Sequence, residues 1–318
     1  MAAGKKSGTE ERGTKRSVYA AFTANLLIAV SKLIAGLISG SAALLAESVH
    51  SVADTINQVF LLVSLRSADE EPDDEHPFGH GKDRFFWSLL VAVGLFVAGS
   101  VFSIYEGVSK ILHGSGSHDA FFIGYVVLAA AFVFESGALL VSAREFRRTA
   151  HEANVSFREH FRTTRNTTMK VPLYEDVAAI MGIAVAATGL FLTQITGNHV
   201  YDGLASIGIG VILVFVAWEL GTDSRRLLIG EAMPPETRQK MEEIVLSFPE
   251  VVEVLRLLTM HLGPNSALLT AEINVVDGLT TDEIEDLLEC ITQKVRSDVP
   301  EVTQTFIELH PEGSVGSY

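Results

Sequence analysis

The sequence contains a single cysteine, Cys290. One thiol can form neither an internal disulfide nor a zinc cluster built from cysteines, so both kinds of stabilised fold are excluded. We interpret Cys290 as a small core residue on an amphipathic helix.

Basic residues are also scarce, with 24 Lys and Arg against 39 Asp and Glu and a formal net charge of −15. The deficit is concentrated in residues 227–318, which hold 17 acidic and 5 basic side chains. Nucleic acid requires a basic surface, so we expect no nucleic-acid partner. Such a segment is typical of a domain that meets cations, and equally of a solvated acidic surface.

Long apolar runs are abundant, and 48% of the residues are hydrophobic. A helix needs roughly 20 mostly apolar residues to cross about 30 Å of hydrocarbon, and only helices or closed barrels satisfy the backbone there. Six runs predict membrane-spanning helices, at about 17–38, 42–65, 85–109, 120–143, 175–196 and 202–222.

Basic residues are unevenly distributed among the connections between these runs. They crowd into 66–84 and 144–170, whereas the other three connections offer only Lys110. Positive residues favour the cytoplasmic side, so both termini are predicted to be cytoplasmic, in a plasma (inner) membrane protein. The predicted domains are a basic N-terminal tail (1–16), a six-helix membrane domain (17–226) and a cytoplasmic domain (227–318).

The cytoplasmic domain alternates helical and strand-like patterns. Two amphipathic helical segments and three strand-like segments follow one another in the order αββαβ, with "GPN" as a turn between the first two strands. This order predicts a small ferredoxin-like α+β domain, in which two helices cover one sheet.

The second run, "LLAESVHSVADTINQVFLLV", carries three ionisable residues near its middle: Glu47, His50 and Asp54. Ionisable side chains are costly inside a membrane and usually mark a pathway or a site. Their spacing places all three on one face of a helix, with His50 and Asp54 one turn apart. An imidazole and a carboxylate in this arrangement can bind one divalent ion, as in zinc sites with nitrogen and oxygen ligands.

The fifth run begins with "PLYEDVAAIMG", in which Glu175 and Asp176 are adjacent. Asp176 is the candidate that completes a site with the second helix, and its alternative role is that of a helix N-terminal acid. If the outer ends of the second and fifth helices were level, Asp54 and Asp176 would differ in membrane depth by about six residues, roughly 9 Å. We therefore expect that the fifth helix extends beyond its apolar run or that the outer ends of the two helices differ in height.

Three further charged residues lie within the runs: Lys32, Glu135 and Asp202. Glu135 in the fourth run is a candidate proton carrier, additional ligand or neutral carboxylic acid, and Glu47 and Glu175 are further candidates for metal binding or proton coupling. Lys32 could extend outward along the membrane, and Asp202 could sit at the interface.

Two polar segments offer further ligands. Asp73, His76 and His80 lie within eight residues of the 66–84 connection, where histidine and carboxylate on a bent loop indicate a second metal site, although such histidines are often only solvated. In the C-terminal domain, Glu272, Glu308 and His310 form a weaker candidate set, which could equally be exposed polar residues of a sheet edge.

The chain resembles the cation diffusion facilitator family over residues 17–311. The resemblance rests on "SGSAALLAESVHSVAD", on "HPFGHGKDR", on Asp176 and on "YDGLASIGIG". The runs "FESGALLVSAREFRR" and "LYEDVAAIMGIAVAATGLF" look most like the branch that contains the animal mitochondrial zinc exporter.

The resemblance implies six spans, a homodimer joined partly by the C-terminal domains, and export of Zn(II) or a related ion in exchange for protons. It implies His50, Asp54 and Asp176 as ligands of the transported ion, and Asp73, His76 and His80 as a second site that could hold a structural ion. No resident cofactor and no enzymatic activity are expected. The family usually has a ligand four residues before Asp176, where this chain has Pro172, so the fourth ligand stays open.

Several other functions are compatible with these residues. A membrane metal sensor would bind the ion without moving it, and an importer would reverse the direction. An intramembrane metalloenzyme would need a catalytic base, and no HExxH-like motif is present. The transported ion could also be cobalt, iron, nickel, cadmium or manganese.

Replacing His50 by aspartate tests whether the imidazole selects the ion. Imidazole favours zinc and similar ions, while oxygen-only sites suit manganese. His50→Asp should therefore shift transport in vesicles towards manganese. An unaltered ratio of zinc to manganese transport would contradict the assignment of His50 as the selecting ligand.

Overall fold

The computed structural model describes six parts of the chain: residues 22–23, 25–68, 72–114, 121–152, 155–164 and 167–311. The predicted basic tail, 1–16, lies outside these parts. The chain divides into two compact units. Among the described residues, the first unit comprises those up to 63 with those in 87–162 and 168–223, and the second comprises those in 64–86, 163–167 and 224–311.

Among the residues that the structure describes, eight helices precede the C-terminal domain. In chain order they are α1 (Asn25–Ser39), α2 (Ala42–Ala68), α3 (Asp83–Gly94), α4 (Phe102–His113), α5 (Phe121–Glu152), α6 (Phe157–Thr163), α7 (Thr167–Thr196) and α8 (Val200–Leu228). A π-helical segment, Leu95–Val101, joins α3 to α4 so that 83–113 is one continuous helical span.

The helices fall where the sequence predicts the six spans. Four segments of the described chain are long and apolar enough to cross a membrane, namely Asp83–His113, Phe121–Glu152, Met169–Thr196 and Val200–Leu228. Helix α1 is apolar but shorter in its described part, and α2 is 27 residues long with the polar residues Glu47, His50 and Asp54 inside it.

The fifth span begins well before its apolar run. Helix α7 starts at Thr167 and continues through Pro172, so it extends eight residues beyond the predicted start at 175. The expected extension of the fifth helix beyond its apolar run is thus present. The alternative role of Asp176 as a helix N-terminal acid is wrong, because nine residues of α7 precede it.

Small residues bring the third and sixth spans into close contact. A Cβ atom on Gly107 would lie 2.5 Å from the carbonyl oxygen of Gly203, and one on Gly203 would lie 2.7 Å from that of Gly107. The hydroxyl of Ser206 donates to the carbonyl of Ser103 at 2.7 Å. Without side chains at these glycines the two backbones pack directly, as is common between membrane helices.

Asp202, at the start of α8, holds the start of α2. Its carboxylate accepts hydrogen bonds from the hydroxyl of Ser41 at 2.5 Å and from the backbone N–H of Ala42 at 2.7 Å. The side chain of Asp202 is buried and caps the N-terminus of another helix, a role that the sequence did not indicate, and its position at the membrane interface stays a prediction. Lys110 contacts the same turn and donates to the carbonyl of Gly40 at 2.7 Å.

The opposite end of α8 contacts α7 through a second carboxylate. The ammonium of Lys170 lies 3.1 Å from Oδ2 of Asp223, and 5.6 Å from the centre of the Phe161 ring on α6. Lys170 is buried, so the carboxylate and the aromatic face replace water around its charge.

The C-terminal domain has the predicted αββαβ order. Its elements are α9 (Pro235–Leu246), β1 (Val251–Gly263), β2 (Ser266–Val275), α10 (Thr281–Asp298) and β3 (Val302–Leu309). Strand β2 is central, antiparallel to β1 and parallel to β3. Apolar residues of both helices and the sheet form a core of their own.

Helix α10 turns one apolar face to this core. Leu287, Ile291 and Val295 are buried at a spacing of four residues, and Thr280 caps the helix in a capping box with Glu283. Cys290 precedes Ile291 by one residue and is exposed, so its interpretation as a core residue is wrong.

Replacing Asp202 tests the cap on α2. Asp202→Ala leaves the Ser41 hydroxyl and the Ala42 N–H without their buried acceptor, which costs about 1–3 kcal/mol of stability. We expect a clearly lower unfolding midpoint for the purified protein in detergent. The exposed control Glu285→Ala should change stability by no more than about 0.5 kcal/mol. Equal midpoints for the two variants would contradict a capping role.

Candidate metal centres

His50 and Asp54 lie side by side in the interior of the first unit. Their side chains belong to successive turns of α2, and the residues are 1% and 9% exposed. The distance from Nδ1 of His50 to Oδ1 of Asp54 is 3.6 Å, longer than a hydrogen bond. These two atoms and Nε2 of His50 have no hydrogen-bond partner in the described part of the chain. Imidazole nitrogen and carboxylate oxygen are the donors that zinc takes in mixed sites.

Glu47, on the same face of α2, is engaged by a lysine. Nζ of Lys32 on α1 lies 3.0 Å from Oε2 of Glu47 and donates to the hydroxyl of Ser51 at 2.8 Å. Lys32 and Glu47 are both fully buried. The interpretation that Lys32 extends outward is therefore wrong: its charge is directed to the helix that carries the candidate ligands.

The acidic residues of the fourth and fifth spans lie near this group. Glu175 and Glu135 both interact electrostatically with Asp54. Asp176 accepts a hydrogen bond of 2.7 Å from the hydroxyl of Ser142 on α5, and it also interacts electrostatically with Glu135. The carboxylates of α5 and α7 thus approach α2 together.

The described residues do not gather these side chains into one coordination shell. Asp73, His76 and His80 are the one set of three or more His, Cys, Asp or Glu residues there whose donor atoms all lie within 4.8 Å of one another. A shared site of His50, Asp54 and Asp176 therefore stays a prediction, as do the supporting roles of Glu47, Glu135 and Glu175.

The loop set has the geometry of a small metal site. Oδ1 of Asp73 lies 3.3 Å from Nδ1 of His76, and Oδ2 lies 3.4 Å from Nε2 of His80. The two imidazole rings are 4.2 Å apart between centroids. Gly79 between them has φ 81°, a left-handed conformation that glycine adopts without strain. Nitrogen and oxygen donors of this kind suit zinc.

Backbone hydrogen bonds hold the carboxylate of Asp73 in place. The N–H groups of His76 and Glu75 both donate to Oδ1 of Asp73. The bond from His76, with the nearby imidazole of His80 and the bond from Glu75, holds the pKa of Asp73 below its usual range. The carboxylate is therefore fully ionised above its ordinary pKa, and the bonds are lost only as the pH falls through the lowered value.

The loop packs on the sheet of the second unit. The rings of Phe78 and Phe306 meet edge to face at 6.4 Å. A Cβ atom on Gly81 would lie 2.6 Å from the carbonyl oxygen of Leu262 in β1. The chain that carries the histidines thus lies in direct contact with the C-terminal domain.

The candidate set of the C-terminal domain is only partly assembled. Glu272 and Glu308 are paired across β2 and β3, and both line a pocket of about 220 Å³. Nε2 of His310 lies 3.5 Å from Oε1 of Glu308, while Glu272 is 3.5 Å from Nη1 of Arg256. The arginine contact favours an ion pair at Glu272, so metal binding by these three residues stays a prediction.

Comparison with known protein families identifies both the membrane region and the C-terminal domain. The family model "Cation efflux transmembrane domain" matches residues 18–229, and "Cation efflux protein, cytoplasmic domain" matches 233–312. The chain belongs to the cation diffusion facilitator family. The predicted fold, six membrane spans with a C-terminal α+β domain, is thereby confirmed, and the protein is a transporter-family member and not an enzyme.

Named relatives carry different metals. The human proton-coupled zinc antiporter SLC30A9, mitochondrial, is 32% identical over 96% of this chain and 54% of its own. Metal tolerance protein C4 of Arabidopsis thaliana is 33% identical over 85% and 59%. The manganese efflux system protein MneP of Bacillus subtilis is 21% identical over 95% and 97%. The chain spans only about half the length of the human relative.

Sequence reasoning missed the roles of Lys32 and Asp202. Both were visible as charged residues in apolar runs, and the cost of an unpaired charge there is the signal that each has a buried partner. The identity of the partner depends on how neighbouring helices pack, which the linear pattern does not contain.

Removing one histidine tests the loop set. His80→Ala leaves two of three donors, so the purified protein should bind about one fewer cobalt(II) ion per chain and lose part of its tetrahedral visible absorption. The exposed His113→Ala, at the end of α4, should bind cobalt like the wild type. Equal stoichiometry in all three proteins would contradict a metal site in the loop.

Proposed function

We propose that the protein is a secondary transporter that moves divalent cations, Zn(II) foremost, out of the cytoplasm in exchange for protons. Membership of a cation efflux family supports transport of a divalent ion. Similarity to the human proton-coupled zinc antiporter supports zinc and protons, while similarity to the manganese efflux protein MneP keeps manganese as an alternative.

The observation that carries the proposal is the pair of His50 and Asp54. A buried imidazole and carboxylate, with polar atoms that no described residue satisfies, are expensive in a membrane helix. A divalent cation that has left its hydration shell needs such donors. We therefore assign the transported ion to this part of α2.

Asp176 is proposed as the ligand from the fifth span. Its hydrogen bond to Ser142 must be given up or shared when it binds the ion. We propose that Asp176 reaches the ion in only one conformation of an alternating-access cycle, in which groups of helices rock around the site. Glu175 and Glu135, which already act on Asp54, are alternatives for the missing fourth ligand.

Proton exchange follows from competition for the same atoms. Metal ligands must be deprotonated, so an ion that enters the site displaces protons, and protons from a more acidic compartment displace the ion. A protonated imidazole has no nitrogen lone pair left for the ion, so a proton and the ion compete for His50. His50 thus supplies both zinc preference and proton coupling without a separate proton pathway.

The remaining assignments concern the membrane and the assembly. We propose cytoplasmic termini, the domain boundaries at 16/17 and 226/227, and a homodimer joined partly by the C-terminal domains. The matched cytoplasmic-domain model supports the dimer. We propose the plasma (inner) membrane as its location, and fractionation would distinguish this from the mitochondrial location in the human relative's name.

A metal sensor is the second candidate. The contact of Asp176 with Ser142 favours it, because a chain that never closes the shared site would bind an ion weakly and not move it. Flux measurements separate the two functions, since a sensor binds zinc without transporting it.

Transport in proteoliposomes tests the proposal. Wild-type protein should move zinc and protons in opposite directions under an imposed pH gradient. His50→Ala and Asp176→Ala should each lower zinc flux by at least about tenfold, because each removes one of few ligands. Zinc entry is followed with an internal zinc dye and proton movement with an internal pH dye.

His113→Ala, which removes an exposed histidine, should transport like the wild type. Zinc flux that is indifferent to the pH gradient would contradict proton exchange. Zinc binding without any flux in the wild type would favour the sensor.

A further inference from the structure

We propose that Lys32 is a positioning residue that neutralises Glu47 and keeps this carboxylate away from the transported ion, so that the site at His50 and Asp54 can release its cargo. This inference rests on the proposed function of that site. It adds a residue of α1 to a site otherwise built from α2, α5 and α7.

The contacts of Lys32 are specific. Its ammonium is fully buried and has two described partners, Oε2 of Glu47 at 3.0 Å and the hydroxyl of Ser51 at 2.8 Å. These partners are four residues apart and flank His50 in sequence. The ammonium therefore binds the same face of α2 that carries the candidate ligands.

Glu47 is held in place from a second side. Its Oε1 occupies the space that a side chain at Gly182 of α7 would fill, since a Cβ there would lie 2.0 Å from this oxygen. Oε1 is buried and has no hydrogen-bond partner in the described residues. One carboxylate oxygen thus contacts Lys32 on α1, and the other lies against the backbone of α7.

The charges explain why a lysine is needed here. Glu47, Asp54 and Glu135 interact electrostatically with one another, and Lys32 interacts with all three and with His50. Without the ammonium, Glu47 would be a buried carboxylate one turn from His50. A dehydrated cation would then gain an additional anionic neighbour, which tightens binding and slows release.

Two single variants should have opposite effects on zinc affinity. Lys32→Gln frees Glu47, so we expect zinc to bind about tenfold more tightly while the maximal transport rate falls by about the same factor. Glu47→Gln leaves the ammonium without its counter-charge near the ion, so zinc should bind about tenfold more weakly. A lysine that only supports the fold would give no gain in affinity.

The double variant and the conservative variant complete the test. Lys32→Gln combined with Glu47→Gln should return affinity and rate close to wild type, because both charges are gone. Lys32→Arg keeps the charge and should bind zinc like the wild type. Lys170→Gln is the matched control, because it also removes a buried lysine from a carboxylate, but that partner lies on α8. It should leave zinc affinity unchanged.

Titration of zinc into the purified protein in detergent gives the affinity, and zinc uptake into proteoliposomes gives KM and the maximal rate. Lys32→Gln with unchanged or weaker zinc binding would overturn the inference, even in a wild type that transports. A wild type that binds zinc without transporting it would overturn the proposed function, while the opposite shifts in affinity would still support the role of Lys32. Tighter binding in Lys170→Gln as well would also overturn it, since any lost lysine would then suffice.

Discussion

An ionised side chain in a membrane interior needs a partner, and this constraint orders the helices of the first unit. Water cannot solvate the charge, so the protein must supply a counter-charge or hydrogen bonds. Lys32 has Glu47, Lys170 has Asp223, and Asp202 has the start of α2. His50 and Asp54 differ because no described residue forms a hydrogen bond with Nδ1 or Nε2 of His50 or with Oδ1 of Asp54. The contrast separates side chains that join helices from the side chains that we propose as ligands.

The partnered carboxylates of α8 connect it to both helices that carry the proposed ligands. Asp202 holds α2 at one end, and Asp223 holds α7 at the other. They are 21 residues apart, roughly 30 Å along the helix. The glycine contacts with α4 join the same helix to the third span. Any rocking of helices around the site must therefore either carry α8 with it or break one of these two contacts.

The sequence predicts this molecule well wherever one element decides the outcome. Apolar length predicts the six spans, alternating patterns predict the αββαβ domain, and the spacing of His50 and Asp54 predicts their adjacency on α2. It fails where the outcome depends on a neighbour. The direction of Lys32 is set by Glu47 on another helix, and the hydrogen bond of Asp176 is set by Ser142.

Failures of a second kind come from helix phase and helix ends. Cys290 belongs to an amphipathic helix as expected, but it lies one residue before the buried Ile291 and faces water. The start of α7 at Thr167 is not marked by hydropathy, because its first eight residues precede the apolar run. A proline inside the helix further disguises this start, since Pro172 would more often indicate a boundary.

The two groups of histidine and aspartate use the same donors in opposite surroundings. In the loop, two backbone N–H groups fix the carboxylate of Asp73, and packing of Phe78 and Gly81 on the sheet fixes the chain. A donor set that is fixed in advance reorganises little when an ion binds, so it suits an ion that stays. In α2, His50 and Asp54 have no such bonds, and the carboxylates that could join them are held by Lys32 and Ser142. A shell that must be assembled from separately held parts can also be taken apart, which is what release of a transported ion requires.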